Sequence, residues 1–247
     1  MLTPTELAYY EEHGFVILRD AFSRSDALDF VKTVFEPAVP ANRLSAAARR
    51  ESWFNVEDLP RYDAIPNPTD VLKYSPRVSA ILRQMHEKPF SIRGGEALSI
   101  RPARSWLTPQ FIVPPTKHWH VDEHGIDGNH DLSCVVLFHF SDTEIGGGGG
   151  TAILDGSHKW LALLARCVPR WLRRHSSRWK WFDGHAIVCK LAQLIFRAMW
   201  LFRPQAIVEV APVRAGDATL LHPLTVHAAT ENSAAMPRYI SRFGVHC

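Results

Sequence analysis

Several features that define other classes of protein are missing from this chain of 247 residues. No run of about 18 apolar residues occurs, so we expect no membrane-spanning helix. The start of the chain lacks the basic and apolar segments of a secretory signal. The four cysteines show no CxxC spacing, which argues against a structural zinc site and against a disulfide framework. We therefore expect a cytoplasmic protein in a reducing compartment.

Nucleotide-binding motifs are missing as well. No GxGxxG follows a strand and no Walker lysine is present, and the five glycines at 146–150 are typical of a turn between strands. The hydrophobic fraction of 46% and the charged fraction of 21% are those of an ordinary globular protein, which excludes a disordered chain. This length is typical of a single large domain, and we predict one that spans residues 1–247.

Charge is distributed unevenly along the chain. Residues 159–203 carry ten Lys or Arg and one acid, Asp183, whereas the remaining chain is net acidic. Five of the eight tryptophans also fall in this stretch, and within the apolar segment 187–202 the polar residues Lys190, Gln193 and Arg197 repeat at helical spacing. We predict a basic, Trp-rich helical insert in an acidic body, and no nucleic-acid partner. It is either a helical cap with a solvated basic face, or a lid that also contacts anionic membranes.

The N-terminal segment predicts a helix followed by a strand. Thr3 and Glu6 form the pattern of a capping box, with proline at the first helical position between them. The helix is expected to continue to about His13, where Gly14 ends it. Residues 15–18 then follow as an apolar strand.

Further along, short β-rich runs alternate with Gly, Pro and Asn, and no βαβ pattern is visible. This texture predicts a mainly β fold with flanking helices, built as a barrel or a double-sheet jelly roll. The predicted strands are 90–93, 97–101, 111–113, 132–140, 151–154, 206–210, 218–221 and 239–245.

A possible metal site begins at Trp119-His-Val-Asp122. Alternate residues of a strand point to one face, so His120 and Asp122 can present a nitrogen and an oxygen to the same ion. A third ligand is available from His222 or His227, more than a hundred residues downstream. Two histidines and one carboxylate that leave open positions are the arrangement that selects non-haem Fe(II).

Spacing alone leaves alternatives open at this site. His118 and His124 share the strand face of His120 and Asp122, and His222 competes with His227. The same ligands would also suit a zinc-dependent hydrolase. A third alternative is a β-barrel binding module without catalytic turnover.

An arginine at a fixed interval suggests what else the site binds. Arg238 lies eleven residues after His227, at the start of the last predicted strand. If it is buried, its planar guanidinium offers a carboxylate two parallel hydrogen bonds. If it is exposed, an ordinary surface ion pair is the better interpretation.

Four motifs in order resemble the phytanoyl-CoA dioxygenase family of Fe(II)/2-oxoglutarate-dependent oxygenases. They are the opening helix and strand of residues 2–18, the pair His120-Val-Asp122, the glycine turn and Gly-Ser-His of 150–158, and the segment from His222 to Arg238. The resemblance implies a double-stranded β-helix of the cupin-like type. It also implies that Fe(II), 2-oxoglutarate and O2 are used, with release of succinate and CO2.

The resemblance assigns roles to individual residues. It implies that His120, Asp122 and His227 hold the iron, and that Arg238 binds the distal carboxylate of 2-oxoglutarate. His222 would then be a packing residue or a neighbour of the ligands.

Two more co-substrate contacts come from strand position alone. Ser99 and Arg101 lie on a strand that leads towards the site, and we interpret them as further contacts to 2-oxoglutarate.

The chain departs from the family pattern in two places, which bear on the substrate. Asp155 replaces the usual proline before Gly-Ser-His, and the insert follows directly. Phytanoyl-CoA is therefore not assumed as the substrate. Related halogenases carry a small residue where this chain has Asp122, so we predict hydroxylation or desaturation of a small, apolar, lipid-like or specialised metabolite.

Overall fold

The computed structural model describes ten stretches of the chain. They are residues 1–35, 54–55, 75–86, 89–101, 119–122, 132–145, 148–167, 206–230, 232 and 238–246.

The described residues form four α-helices and nine strands. The helices are α1 Pro4–His13, α2 Arg24–Phe30, α3 Pro76–Met85 and α4 Ser157–Cys167, and a π-helical turn, Val31–Phe35, continues α2. The strands are β1 Phe15–Leu18, β2 Phe54–Asn55, β3 Ser91–Arg101, β4 Leu132–His139, β5 Thr151–Leu154, β6 Ile207–Glu209, β7 Ala218–Leu221, β8 His227–Ala229 and β9 Arg238–His246. None of the helices described is long and apolar enough to cross a membrane.

Local sequence signals account for the start of the fold. The Thr3 hydroxyl accepts a hydrogen bond from the Glu6 N–H, and the Glu6 carboxylate accepts one from the Thr3 N–H, which is the predicted capping box. Gly14 has a φ of 80° and ends α1 in the left-handed conformation. The predicted helix and the strand that follows it are therefore confirmed.

The strands form two antiparallel sheets. The large sheet has the order β1-β7-β4-β9-β3-β2, and the small sheet has the order β6-β5-β8. An isolated antiparallel bridge between His120 and His227 extends the small sheet beyond β8. The prediction of a mainly β protein with flanking helices is confirmed at this level.

Three apolar clusters show how the layers are stacked. One covers the outer face of the large sheet and includes side chains from α1, α2 and α3. A second lies between the outer face of the small sheet and α4, and includes Trp119 and Leu161. The third joins Phe15, Val135 and Leu221 of the large sheet to Ile153 of the small sheet. The two sheets therefore face one another across an apolar interior.

The structure differs from the predicted elements in detail. The runs at 90–93 and 97–101 form one strand, β3, with a register shift between Arg93 and Ala97. The intervening Gly94-Gly95 permits a β-bulge within one strand, where two separate strands were predicted. Residues 111–113 lie outside the described residues, as does most of the predicted insert 159–203, of which α4 supplies the beginning.

Gly14 provides a test of how α1 is fixed to the sheets. A Cβ at this position would overlap the side chains of His158 and Thr225, and the φ of 80° is itself strained for alanine. Gly156 also has a positive φ, of 65°, but a Cβ there would meet only the Glu12 carbonyl at 3.7 Å.

We expect Gly14→Ala to lower the free energy of unfolding by about 3 kcal/mol, because overlap adds to backbone strain. The matched Gly156→Ala variant should lose only about 1 kcal/mol, since strain acts there alone. Urea denaturation of both variants measures the difference. Equal losses would show that the contacts around Gly14 do not fix the helix.

Candidate metal centre

His120, Asp122 and His227 come together at one end of the interior. One ligand atom from each residue lies within 4.8 Å of the ligand atoms of the other two. Within the described part of the chain, these three residues form a group that can hold a metal ion. The Asp122 Oδ2 atom is 3.5 Å from His227 Nε2, and Oδ1 is 4.0 Å from His120 Nε2. The fold thus brings His227 next to His120 and Asp122, which lie more than a hundred positions earlier in the sequence.

Backbone hydrogen bonds hold the two histidines side by side. The His120 N–H donates to the His227 carbonyl at 3.0 Å, and the His227 N–H donates to the His120 carbonyl at 2.9 Å. The two rings are 4.3 Å apart between centroids. Strand alternation then turns Asp122 to the same side, while Trp119 and Val121 are buried in the core on the other.

A hydrogen bond fixes which nitrogen of His227 can bind a metal. Nδ1 lies 2.9 Å from the carbonyl oxygen of Thr225. Because a carbonyl only accepts hydrogen bonds, the ring proton resides on Nδ1. The lone pair of Nε2 therefore faces Asp122 and is available to a cation, as in known metal-binding histidines.

The two oxygens of Asp122 have different surroundings. Oδ1 accepts a hydrogen bond from the Arg242 guanidinium. Oδ2 is buried and accepts no hydrogen bond from any residue that the structure describes. Burial by itself would raise the pKa of Asp122, but His227, Arg242 and His120 outweigh it and lower the pKa. The residue is therefore a carboxylate with one oxygen left for a ligand.

Exposure is unequal around the three side chains. The side chain of His120 is 42% exposed, against 5% for Asp122 and 9% for His227. The site thus opens towards solvent on the His120 side, where other molecules can approach. Two imidazoles, one carboxylate and an open side are suited to a divalent cation with free coordination positions.

Arg238 lies in the interior and not at the surface. It is 2% exposed, and its Nη2 donates a hydrogen bond to the Thr151 hydroxyl at 3.2 Å. Since Arg238 belongs to β9 and Thr151 to β5, the contact joins the two sheets. The alternative of a surface ion pair is therefore wrong.

Ser99 and Arg101 lie on the strand next to Arg238. In the register of β3 and β9, Arg101 is opposite Arg238 and Ser99 is opposite Ile240. Their backbone positions are thus adjacent to the candidate site. Their interpretation as co-substrate contacts stays a prediction.

Arg242 is a residue of the candidate site that no sequence motif predicted. Its guanidinium contacts Asp122, and its position was available from the strand pattern. Arg242 lies four positions after Arg238 on β9, so strand alternation places the two arginines on the same face. Strand alternation is thus a sequence signal for Arg242, although no motif marks this second arginine.

His139 is a second interior polar residue that lies near Arg238. It is fully buried at the end of β4, and its Nε2 lies 2.8 Å from the Thr219 hydroxyl. Burial first, and then the charges of Arg238 and Arg19, hold the pKa of His139 well below its ordinary value. His139 therefore adds a neutral polar group to the interior. His118 and His124, which share the predicted strand face of His120 and Asp122, lie outside the described residues.

His222 lies apart from the three-residue group. Its Nδ1 accepts a hydrogen bond from the Leu224 N–H at 3.1 Å, and its ring lies 5.0 Å from that of His158. The structure thus brings His227, and not His222, to His120 and Asp122. Burial, assisted by His158, lowers the pKa of His222 to about 4.

The turn before His158 is anchored in spite of its departure from the family pattern. Asp155 Oδ1 lies 2.8 Å from Nδ1 of His13, the last residue of α1. A side-chain contact to the N-terminal helix therefore replaces the rigidity that proline would supply.

The low pKa of His222 predicts a pH-dependent stability. In the unfolded chain a histidine titrates near pH 6.5, so below that pH the unfolded state binds a proton that the folded state refuses until about pH 4. Stability is therefore lost as the pH falls through this window.

We expect His222→Asn, which keeps an acceptor near the Leu224 N–H, to remove about 2 kcal/mol of the stability loss between pH 7 and pH 5. The measurement is urea unfolding of both proteins at the two pH values. The same dependence in the variant would contradict the assignment of the loss to His222.

Comparison with known proteins places these observations in a family. The family described as phytanoyl-CoA dioxygenase (PhyH) matches residues 10–240. No match was found among curated protein sequences.

Solved structures share the fold at low sequence identity. The 2-oxoglutarate-dependent carbocyclase SnoK of nogalamycin biosynthesis is 19% identical, with a TM-score of 0.56 over 99% of this chain and 84% of that one. HygX from Streptomyces hygroscopicus, with nickel and 2-oxoglutarate bound, is 15% identical, with a TM-score of 0.56 over 100% and 87%. The non-haem monooxygenase ThoJ, in a nickel complex, is 17% identical, with a TM-score of 0.55 over 97% and 76%.

Proposed function

Because the chain belongs to the phytanoyl-CoA dioxygenase (PhyH) family, we propose that it is an oxygenase that uses Fe(II), 2-oxoglutarate and O2. The observation that carries the proposal is the convergence of His120, Asp122 and His227 with an open side, in an interior that also holds Arg238. HygX, which has a similar fold, binds 2-oxoglutarate together with nickel. The chemistry supplied by bound Fe(II) is the activation of O2, coupled to the conversion of 2-oxoglutarate to succinate and CO2.

The residues of the three-residue group would bind the ion through defined atoms. His227 offers Nε2, because its Nδ1 proton is held by the Thr225 carbonyl. Asp122 offers Oδ2, the oxygen that accepts no hydrogen bond within the described part of the chain. His120 offers Nε2 from the exposed side, next to the positions that stay open for the co-substrate.

Arg238 would hold the distal carboxylate of 2-oxoglutarate. A guanidinium that is almost fully buried is a strong and directional partner for a carboxylate. Thr151 orients the guanidinium, and His139 keeps its surroundings polar without adding charge. Ser99 and Arg101, opposite β9 in the register, are proposed as further contacts.

The finer features of the fold form part of the proposal. The two facing sheets support a double-stranded β-helix, or jelly roll, within a single domain of residues 1–247. We propose that the insert 159–203, which begins in α4, acts as a lid over the substrate and contacts anionic membranes peripherally from the cytoplasm.

The substrate is proposed to be a small, apolar, lipid-like or specialised metabolite that is hydroxylated or desaturated. The presence of Asp122 as a third ligand supports these outcomes over halogenation. The neighbouring structures include a carbocyclase and a monooxygenase, so this fold accommodates different oxidative outcomes.

The metal ligands are tested by substitution. Loss of one contact that supports a metal ligand costs about 10- to 100-fold. We therefore expect Asp122→Ala or His227→Ala to lower Fe(II)-dependent succinate formation from 2-oxoglutarate by at least about 100-fold. The matched control is His222→Asn, which removes a histidine outside the group and should retain turnover.

The same assay separates the alternatives. Turnover that requires Fe(II) and O2 supports the oxygenase, whereas zinc-supported hydrolysis without succinate would indicate a hydrolase. Unchanged succinate formation in Asp122→Ala would contradict the proposed ligand set.

The co-substrate site is tested at Arg238. We expect Arg238→Gln to raise the KM for 2-oxoglutarate by roughly 10- to 100-fold, because a charge-assisted hydrogen bond contributes about 1.5–3 kcal/mol. Mn(II) affinity, measured by calorimetry without 2-oxoglutarate, should stay the same. An unchanged KM would show that the distal carboxylate binds elsewhere.

A further inference from the structure

Arg242 links the large sheet to the candidate metal centre. Its backbone is paired with Leu137 of β4 on one side and with Ala97 of β3 on the other. The residue therefore lies on a strand that is hydrogen-bonded along both edges, in the middle of the large sheet. From there its Nη2 reaches across to Oδ1 of Asp122.

The contact gives the two carboxylate oxygens of Asp122 different roles. Oδ1 is engaged by Arg242, while Oδ2 is buried and accepts no hydrogen bond from the described residues. Oδ2 is also the oxygen that lies 3.5 Å from His227 Nε2, the nitrogen whose lone pair is available. The free oxygen and the free nitrogen are thus adjacent.

We propose that Arg242 is a positioning residue for the metal ligand Asp122. It holds Oδ1 so that Oδ2 is presented to the ion together with His120 and His227. This inference rests on the proposed function and adds to it a residue that touches the ligand from outside.

The physical need for such a residue lies in the freedom of an aspartate. Rotation about the bond to its carboxylate is broad and roughly two-fold, so by itself Asp122 could offer either oxygen or both. A guanidinium is planar and rigid, and a charge-assisted hydrogen bond from it selects one orientation. The backbone of Arg242 is fixed by strand pairing on both sides, so its guanidinium approaches Asp122 from a fixed position in the large sheet.

Arg242 also balances the charge of a buried acid. The side chain of Asp122 is 5% exposed, and an unpaired carboxylate at such a site is costly. The side chain of Arg242 is 37% exposed, so it supplies positive charge while staying partly hydrated. The carboxylate is therefore kept ionised and oriented before an ion arrives.

The test compares Mn(II) binding in variants, without substrate or turnover. We expect Arg242→Gln to raise the dissociation constant for Mn(II) by about 10- to 100-fold, which is weaker binding. Arg242→Lys should recover part of the affinity, because lysine keeps the charge but lacks the planar fork. Titration calorimetry measures both, and thermal unfolding confirms that each variant is folded.

Arg24→Gln is the matched control. Arg24 forms an Arg–Asp pair with Asp142, at 2.6 and 2.8 Å, with both side chains about half exposed. The same substitution there removes an ion pair between two residues that do not belong to the group of metal ligands. We expect its Mn(II) affinity to stay within about twofold of that of the wild-type protein, since a surface pair contributes little.

A spectroscopic readout separates positioning from general destabilisation. At saturating Co(II), the visible spectrum of Arg242→Gln should differ from that of the wild-type protein. Without Arg242, the Asp122 carboxylate can bind the ion through either oxygen or through both. The spectrum of Arg24→Gln should be unchanged.

Two results would overturn the inference. Unchanged Mn(II) affinity and Co(II) spectrum in Arg242→Gln would show that the backbone alone orients Asp122. Tighter Mn(II) binding would show that the guanidinium competes with the ion for the carboxylate. Either result leaves the proposed function intact if the wild-type protein binds Mn(II) and Asp122→Ala does not. Failure of the wild-type protein to bind Mn(II) would instead reject the metal centre itself.

Discussion

The pair of hydrogen bonds between the backbones of His120 and His227 is the constraint on which the site depends. It adds residues 119–122 to the edge of the small sheet, although more than a hundred residues separate them from β8. Once that bridge exists, strand alternation decides the rest. The two imidazoles and Asp122 turn inwards, and Trp119 turns outwards into the cluster under α4. Burial of that tryptophan therefore stabilises the same register that aligns the ligands.

The two sheets contribute different chemistry to the space between them. The small sheet and its extension carry the three candidate metal ligands, whereas the large sheet carries both arginines on one face of β9. Arg238 reaches Thr151 and Arg242 reaches Asp122, so each guanidinium joins the sheets by a polar contact. The apolar cluster between the sheets packs side chains of the large sheet against Ile153 of the small sheet. The long arginine side chains of the large sheet reach polar groups on the other side of this layer.

Sequence patterns predicted most of the fold and part of the site. Capping signals were sufficient for α1, and short β-rich runs between turn residues for β5 and β7, because these signals depend on neighbours in the chain. The pair His120 and Asp122 followed from alternation in the same way. The choice between His222 and His227 did not, since both flank the same short loop. It is made by backbone pairing: the His222 N–H donates to the Gly14 carbonyl, and that of His227 to His120. Partners this distant are invisible to local periodicity.

The distribution of charge in the interior bears on the chemistry that it can support. Near Arg238, Thr151 accepts a hydrogen bond from the guanidinium and burial keeps His139 neutral. Around Asp122 a carboxylate is compensated by Arg242 and flanked by imidazoles, with an open side at His120. A hydrolase would need only the second of these environments. A buried guanidinium on the same face of β9 as Arg242 suits the proposal that Arg238 binds the distal carboxylate of 2-oxoglutarate. A 2-oxo diacid has two anionic ends, so the proposed co-substrate of this family fits both environments.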